Sequence, residues 1–296
     1  MVCSRVARML RRAAVAVGPL GLVLALLVPA GPAGAQSVTL AGSYLRPTLT
    51  SGQGLATLTW PGGASSVVYR GDLSIPLRLL FKGWDHIGDP GAGGHPGGAR
   101  DYLFDAYQGP DTARAKMFEV TTPAGQHYDF VHQLVSGEAY NNSFAAISPD
   151  GNWLVSGEWG TMNRLLVFPA PLLNAAVPAA SAGKDLPLAG YIELPTPVDN
   201  VQGCDFESPT VLLCSSDGAA AKDILQIQLD HALGTGTPAG SDRALTVTVL
   251  AHIPLQSECR GTFEAEGIDY HAAQVRVEVL PPSPCVLTTR VYVFDL

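Results

Sequence analysis

The chain has 296 residues, a formal net charge of −8 and only 15% charged residues, with 32 glycines and 23 prolines. An acidic balance excludes the basic face on which nucleic-acid and anionic-membrane binders depend. So much glycine and proline in a chain that is 47% hydrophobic describes a turn-rich globular protein with a full core, not a disordered or long-helical one.

The first element is a leader. Arg5, Arg8, Arg11 and Arg12 form a basic head, Ala13 to Ala30 is an apolar run, and Ala33-Gly34-Ala35 supplies a small-x-small cleavage site before Gln36. A retained membrane span needs roughly 20 uninterrupted apolar residues, and Pro19, Pro29 and Pro32 break this run. The expectation is a signal peptide over residues 1–35, cleaved after Ala35, and one exported domain over residues 36–296 with no membrane span. Four of the 18 basic residues leave with the leader, so the mature chain stands near −12.

Beyond the leader the chain reads as strands and turns. A first strand is expected over Val38–Leu45, then Gly52–Leu58, a turn at Pro61-Gly62-Gly63, and a strand at Trp84–Asp89. Gly91–Arg100 is read as a flexible glycine-rich insertion, because no helix follows it to make a phosphate cradle. Further turns fall at Pro123-Ala124-Gly125 and Pro149-Asp150-Gly151, and a second insertion at Pro171–Asp185. The stretches Leu172–Ala180 and Ala219–Leu225 carry only short, interrupted helical periodicity and are read as loops or single turns. Leu245–Val249, Val275–Val279 and Val291–Phe294 alternate with period 2 and are β-branched, which predicts strands. Asn141-Asn142-Ser143 matches a glycosylation sequon, read as accidental in a chain of this composition.

One local pattern returns three times, at Ser143-Phe144-Ala145-Ala146-Ile147-Ser148, Val201-Gln202-Gly203-Cys204-Asp205-Phe206 and Ala265-Glu266-Gly267-Ile268-Asp269-Tyr270. Recurrence in an all-β chain predicts a β-propeller of four-stranded blades, with five blades expected and six the alternative. The three copies, with Gly52–Leu58 and Trp84–Asp89, are taken as innermost strands. Pairing of Val38–Leu45 with the C-terminal sheet would close the ring and remove its edges.

Cys204, Cys214, Cys259 and Cys285 are an even number in an exported chain, which predicts two disulfides with three connectivities open. Cys204 and Cys214 flank the turn signal Glu207-Ser208-Pro209, so a hairpin there would pair them and leave Cys259 with Cys285.

Inner strands converge on the axis, so their polar residues are the candidates for ligand or channel-lining roles: Asp85, His86, Asp89, Glu158, Gln202, Asp205, Glu266 and Asp269. Gathered carboxylates suit Ca²⁺, and a histidine among them admits a transition metal. The structural alternative is that these Asp residues bond backbone amides and that His86 packs beside Trp84. G-x-S-x-G and H-E-x-x-H are both absent, which removes two common hydrolase readings.

Two resemblances follow from quoted residues. Gly83-Trp84-Asp85-His86-Ile87-Gly88-Asp89-Pro90, with Asp101–Gln108 and Ala115–Val120, resembles a group of secreted actinobacterial propeller-like proteins of unassigned function. Glu266-Gly267-Ile268-Asp269 resembles the Glu-Gly motif of calcium-dependent lactonase and phytase-like propellers, which implies Ca²⁺ at Glu266 and Asp269; Asp85 or Asp89, converging from another inner strand, is expected to complete the site. Two functions are therefore expected: a monomeric binding or scaffolding propeller for an extracellular small molecule, glycan or protein, or a metal-dependent hydrolase or lactonase.

Overall fold

The computed structural model describes residues 38–296 apart from 61, 99–100, 110–113, 140–143, 220 and 236–240. The leader and the Asn141-Asn142-Ser143 sequon lie outside the described residues. Strand β1 (Thr39–Pro47) leads through a single turn, α1 (Thr48–Ser51), to β2 (Gly54–Thr59) and β3 (Ser65–Arg70). A second turn, α2 (Leu77–Leu80), precedes β4 (His86–Ile87), β5 (Gly91–Gly93), β6 (Tyr102–Gln108), β7 (Ala115–Thr121) and β8 (His127–Gln133). Then come β9 (Ala146–Ile147), β10 (Trp153–Ser156), β11 (Thr161–Pro169) and β12 (Gly190–Asp199), followed by β13 (Val201–Ser208), β14 (Val211–Ser216), β15 (Asp223–Leu229) and β16 (Ser241–His252). The chain ends with β17 (Glu264–His271), β18 (Gln274–Leu280) and β19 (Thr288–Asp295).

These strands form antiparallel meanders. β5 and β4 both pair β6, which continues to β7 and β8; β9 to β12 and β13 to β16 are meanders joined where β12 meets β16 in parallel; β2 and β3 stand as a pair. The last sheet runs β17-β18-β19-β1, with Thr39 opposite Asp295 and Pro47 opposite Thr288, so the N-terminal strand completes the C-terminal sheet as expected. The first strand of each meander touches the next: β2 lies against β5, β5 against β9, β9 against β13, β13 against β17, and β17 against β2. The inner strands therefore close into a ring.

Period-2 alternation explains why the sheets stack around that ring. In β10 and β11, Val155, Leu165 and Val167 face the core shared with Cys204, Leu212 and Ile227. Their sequence neighbours Leu154, Leu166 and Phe168 face the opposite core, shared with Phe104, Phe118 and Phe130. Likewise Leu213 and Ile224 turn away from Cys214 and Leu225 to pack against Ile268, Val277 and Tyr292. Each such sheet is apolar on both faces because a sheet lies on either side of it. Sheets arranged radially about a ring of inner strands, with a core between neighbours, make a β-propeller.

Three local readings change. Asp223–Leu229 is a strand and not part of a loop, because Ile224 serves one core while Leu225 and Ile227 serve the other, which blurs the alternation. Gly91–Gly93 is an inner strand, not an insertion. A Cβ on Gly91 would stand 1.7 Å from the Ala145 carbonyl oxygen, so its glycine answers to close approach and not to flexibility. The β2–β3 sheet has two strands where four were expected; Ile75 and Leu79 from the segment after β3 pack on Ile87, Tyr107 and Met117.

Both disulfides are formed, Cys204–Cys214 and Cys259–Cys285. The first joins residues directly opposite in the β13–β14 register, and the second ties the approach to β17 to the turn before β19.

Candidate functional site

Neighbouring inner strands of a propeller share no backbone ladder, so their edge amides need other acceptors. Here carboxylates supply them. Asp205 Oδ2 accepts from Tyr270 N at 2.8 Å, while its Oδ1 accepts from Phe206 N at 2.8 Å. Asp269 sits two residues after its glycine, as Asp205 does, and repeats the stitch on the next strand: its Oδ1 accepts from Thr57 N at 2.6 Å. Its Oδ2 accepts from Thr57 Oγ1 at 2.7 Å and from Arg276 Nη1 at 2.8 Å. Asp89, almost wholly buried, accepts from Leu55 N and Ile268 N, both at 3.1 Å, and its own carbonyl accepts from Ala145 N.

Asp89 is enclosed by glycine. Cβ atoms on Gly54, Gly203 and Gly267 would approach its carboxyl oxygens to 2.5, 2.1 and 2.0 Å. The glycines of Gln53-Gly54, Gln202-Gly203 and Glu266-Gly267 thus make room for one side chain at the centre of the ring. Burial pushes the Asp89 carboxyl well above the usual carboxylate range, Glu278 and Asp205 add to the rise, and the two amides oppose it. The axis is packed here, not an open channel.

At one end of the ring the inner strands part around a cleft of about 430 Å³, lined among others by Thr57, Gly91–Gly98, Asp101, Ile147, Asp205, Glu207, Asp269, Tyr270 and His271. Every inner strand or its continuation reaches this lining, whose described residues include no lysine or arginine. Asp205 is raised to about 8, first by burial and then by Asp269, against the lowering effect of the Tyr270 and Phe206 amides.

A carboxyl whose folded value lies above its unfolded value binds more protons folded than unfolded, so its stabilisation is complete below the unfolded value and is lost as pH rises through the folded one. Asp89, Glu266 and Glu278 shift the same way through burial. Stability is therefore expected to fall between about pH 5 and pH 8. Lys116, lowered by burial to about 8, works in the opposite sense only above that window, and His86, also lowered by burial, opposes the fall below about pH 6.5 without outweighing the four carboxyls. Urea midpoints across pH 5–8 check this; a rising midpoint would refute it.

Of the residues singled out from sequence, the structure brings Asp205 and Asp269 together at the cleft and places Asp89 on the axis. Asp85, His86, Glu158, Gln202 and Glu266 do not line the cleft. Asp85 is exposed at the entry to β4, and burial lowers His86 despite Asp72 and Asp85 nearby. Glu158 is paired with Arg164, at 3.0 Å from Nε, and accepts from Ala139 N at 2.7 Å. Glu266 is buried, its carboxyl pushed well up by desolvation and then by Glu264 and Glu278. Among the described residues no three His, Cys, Asp or Glu side chains gather at metal-holding distance. Asp89 and Asp269, two of the four residues expected to hold Ca²⁺, are engaged with amides, Thr57 and Arg276; the set does not fit a common ion.

Sequence reasoning missed Thr57, Asp101 and His271, which line the cleft, and Arg276, which holds Asp269. Position in the repeat was the available signal for Tyr270, the residue after Asp269; nothing local marked Asp101.

No protein-family model and no curated protein matches the chain. Among solved structures it is similar to Hsv2 of Kluyveromyces lactis, at 7% identity and a TM-score of 0.31, over 69% of this chain and 60% of that one. It is also similar to a Dos1 propeller, at 10% identity and a TM-score of 0.35, over 77% of this chain and 59% of that one. The chain thus spans less than two thirds of either structure. The ring of inner strands, not these likenesses, defines the fold.

Proposed function

We propose that the protein is an exported, monomeric, five-bladed β-propeller that binds an extracellular small molecule, glycan or protein segment in the cleft at one end of its ring. The observation that carries this reading is the cleft itself, to which all the inner strands contribute and beneath which Asp89 and its glycines seal the axis. A ligand would lodge there and not thread through. Export is supported by the leader signature and by two disulfides, which persist in oxidising compartments. Among the described residues no helix is long and apolar enough to cross a membrane.

The hydrolase reading draws no support from the site, because its four metal ligands do not converge, and no catalytic step is assigned. Ca²⁺ stays in the proposal only as a ligand of the Asp205–Asp269 region. The test is a ligand screen by thermal shift against sugars, amino acids, amines and divalent cations, run on wild type and on His271→Trp, which fills the cleft. Hits that vanish in His271→Trp while the variant stays folded support the reading. Hits indifferent to the substitution, or none, overturn it; an unchanged unfolding midpoint after chelation removes the calcium part.

A further inference from the structure

We propose that the cleft takes a small organic cation, with an ammonium or guanidinium group seated against Asp205. This rests on the cleft being the binding site and names the class of ligand.

Many of the protein's own carboxylates are paired with a cationic side chain. Asp105 is bridged by Arg70, Asp217 by Lys222, Glu158 by Arg164, and Asp269 by Arg276. Glu119 and Asp129 share Arg78. Asp205 has no such partner: its oxygens meet only the amides of Phe206 and Tyr270, and Asp269 lies close enough to repel it. Asp89, Glu266 and Glu278 also lack a bridging cation, but they are buried, whereas Asp205 is partly exposed and lines the cleft, as does Asp101, whose Oδ2 accepts from Thr59 N.

Asp205 and Asp269 bring two carboxylates to the cleft, one of them bonded to Arg276, and the described residues of the lining include no lysine or arginine. A ligand cation completes the pairing that the protein makes elsewhere for itself, in a partly desolvated site where a charge-assisted bond is strong. The cleft's 430 Å³ falls within the roughly 300–1,000 Å³ of small-molecule sites. The same lining disfavours carboxylate and phosphate ligands, which would meet like charge.

Calorimetric titration at low salt decides it, with glucosamine at pH 7, where it carries its ammonium, and lysine and arginine at pH 8.5, as probes against N-acetylglucosamine, citrulline and glutamate. At least one cation is expected to bind about tenfold or more tighter than its neutral counterpart, and which one binds distinguishes an amino sugar from an amino acid source. Asp205→Asn should erase the preference, with its unfolding midpoint confirming a folded protein; the wild-type contrast between glucosamine and N-acetylglucosamine, or arginine and citrulline, stands without it. Equal binding of neutral and cationic probes, or preference for glutamate, overturns the inference and leaves the cleft as a binding site. Binding of none of the three cations also overturns it, and the cleft reading falls only if the wider screen is empty as well.

Discussion

Gly267→Ala is expected to lower the stability of the protein by about 3 kcal/mol or more, at the upper end of overpacking costs. The added methyl would stand 2.0 Å from an Asp89 carboxyl oxygen and 2.6 Å from the Gly54 Cα. Neither can yield readily. Asp89 is fixed by the amides of Leu55 and Ile268, and Gly54 is backbone on the adjoining inner strand. Moving either shifts one inner strand against another. A double variant separates the clash from other causes. Asp89→Gly alone orphans two buried amides, at about 1–3 kcal/mol each, but it removes the nearer of the two groups that Gly267→Ala strikes, leaving the Gly54 Cα. The two costs should therefore add to less than their sum in urea unfolding. A Gly267→Ala protein with the wild-type midpoint would show that the axis is not packed as described.

Asp269→Ala comes next, with an expected loss of about 3–5 kcal/mol, the range for breaking a buried ion pair on one side. It leaves the half-buried Arg276 guanidinium without its carboxylate and Thr57 without the acceptor for both its amide and its hydroxyl. The substitution also removes the charge that repels Asp205, so the fall in stability between pH 5 and pH 8 should become shallower. Arg276→Met is the milder counterpart, because Asp269 keeps both bonds to Thr57. If Asp269→Ala and Arg276→Met proved equally mild, the stitch between β17 and β2 would contribute little.

Much of the architecture was legible before any coordinates. Val275–Val279 and Val291–Phe294 alternate apolar residues with period 2, and both are strands. Turn glycines at Gly125 and Gly151 adopt φ of 78° and 74°, as their Pro-x-Gly settings predict. The Glu207-Ser208-Pro209 signal placed Cys204 opposite Cys214. Asp223–Leu229 was less readable at its start, where the adjacent Ile224 and Leu225 serve two different cores, although Leu225, Ile227 and Leu229 alternate with Gln226 and Gln228 as in any strand. Gly91–Gly93 misled for a related reason: the reason for its glycines is the Ala145 carbonyl, which belongs to another meander.

The candidate site was only partly legible. Asp205 and Asp269 stand at matching places in a repeat, so their nearness follows once the ring is closed. Their roles do not. An isolated Asp-x-x-Gly-Asp or Glu-Gly-Ile-Asp reads equally as a turn, a metal ligand or a stitch, because what separates these is the partner brought up from elsewhere.

By itself, then, the sequence determined most of the strands, the turns, the repeat, the pairing of the cysteines and the closure by the first and last strands, since each follows from alternation, backbone conformation or spacing that operates within a few residues or one repeat. Only the tertiary structure decided that Asp89 seals the axis, that Asp269 is spent on Thr57 and Arg276, and that Asp205 faces a cleft without a counter-charge. Those outcomes depend on groups 34 residues apart for Leu55 and Asp89, and 212 apart for Thr57 and Asp269. The physical reason is convergence: closing the ring brings inner strands from distant parts of the chain onto one axis, where burial and charge pairing act between residues that no local pattern connects.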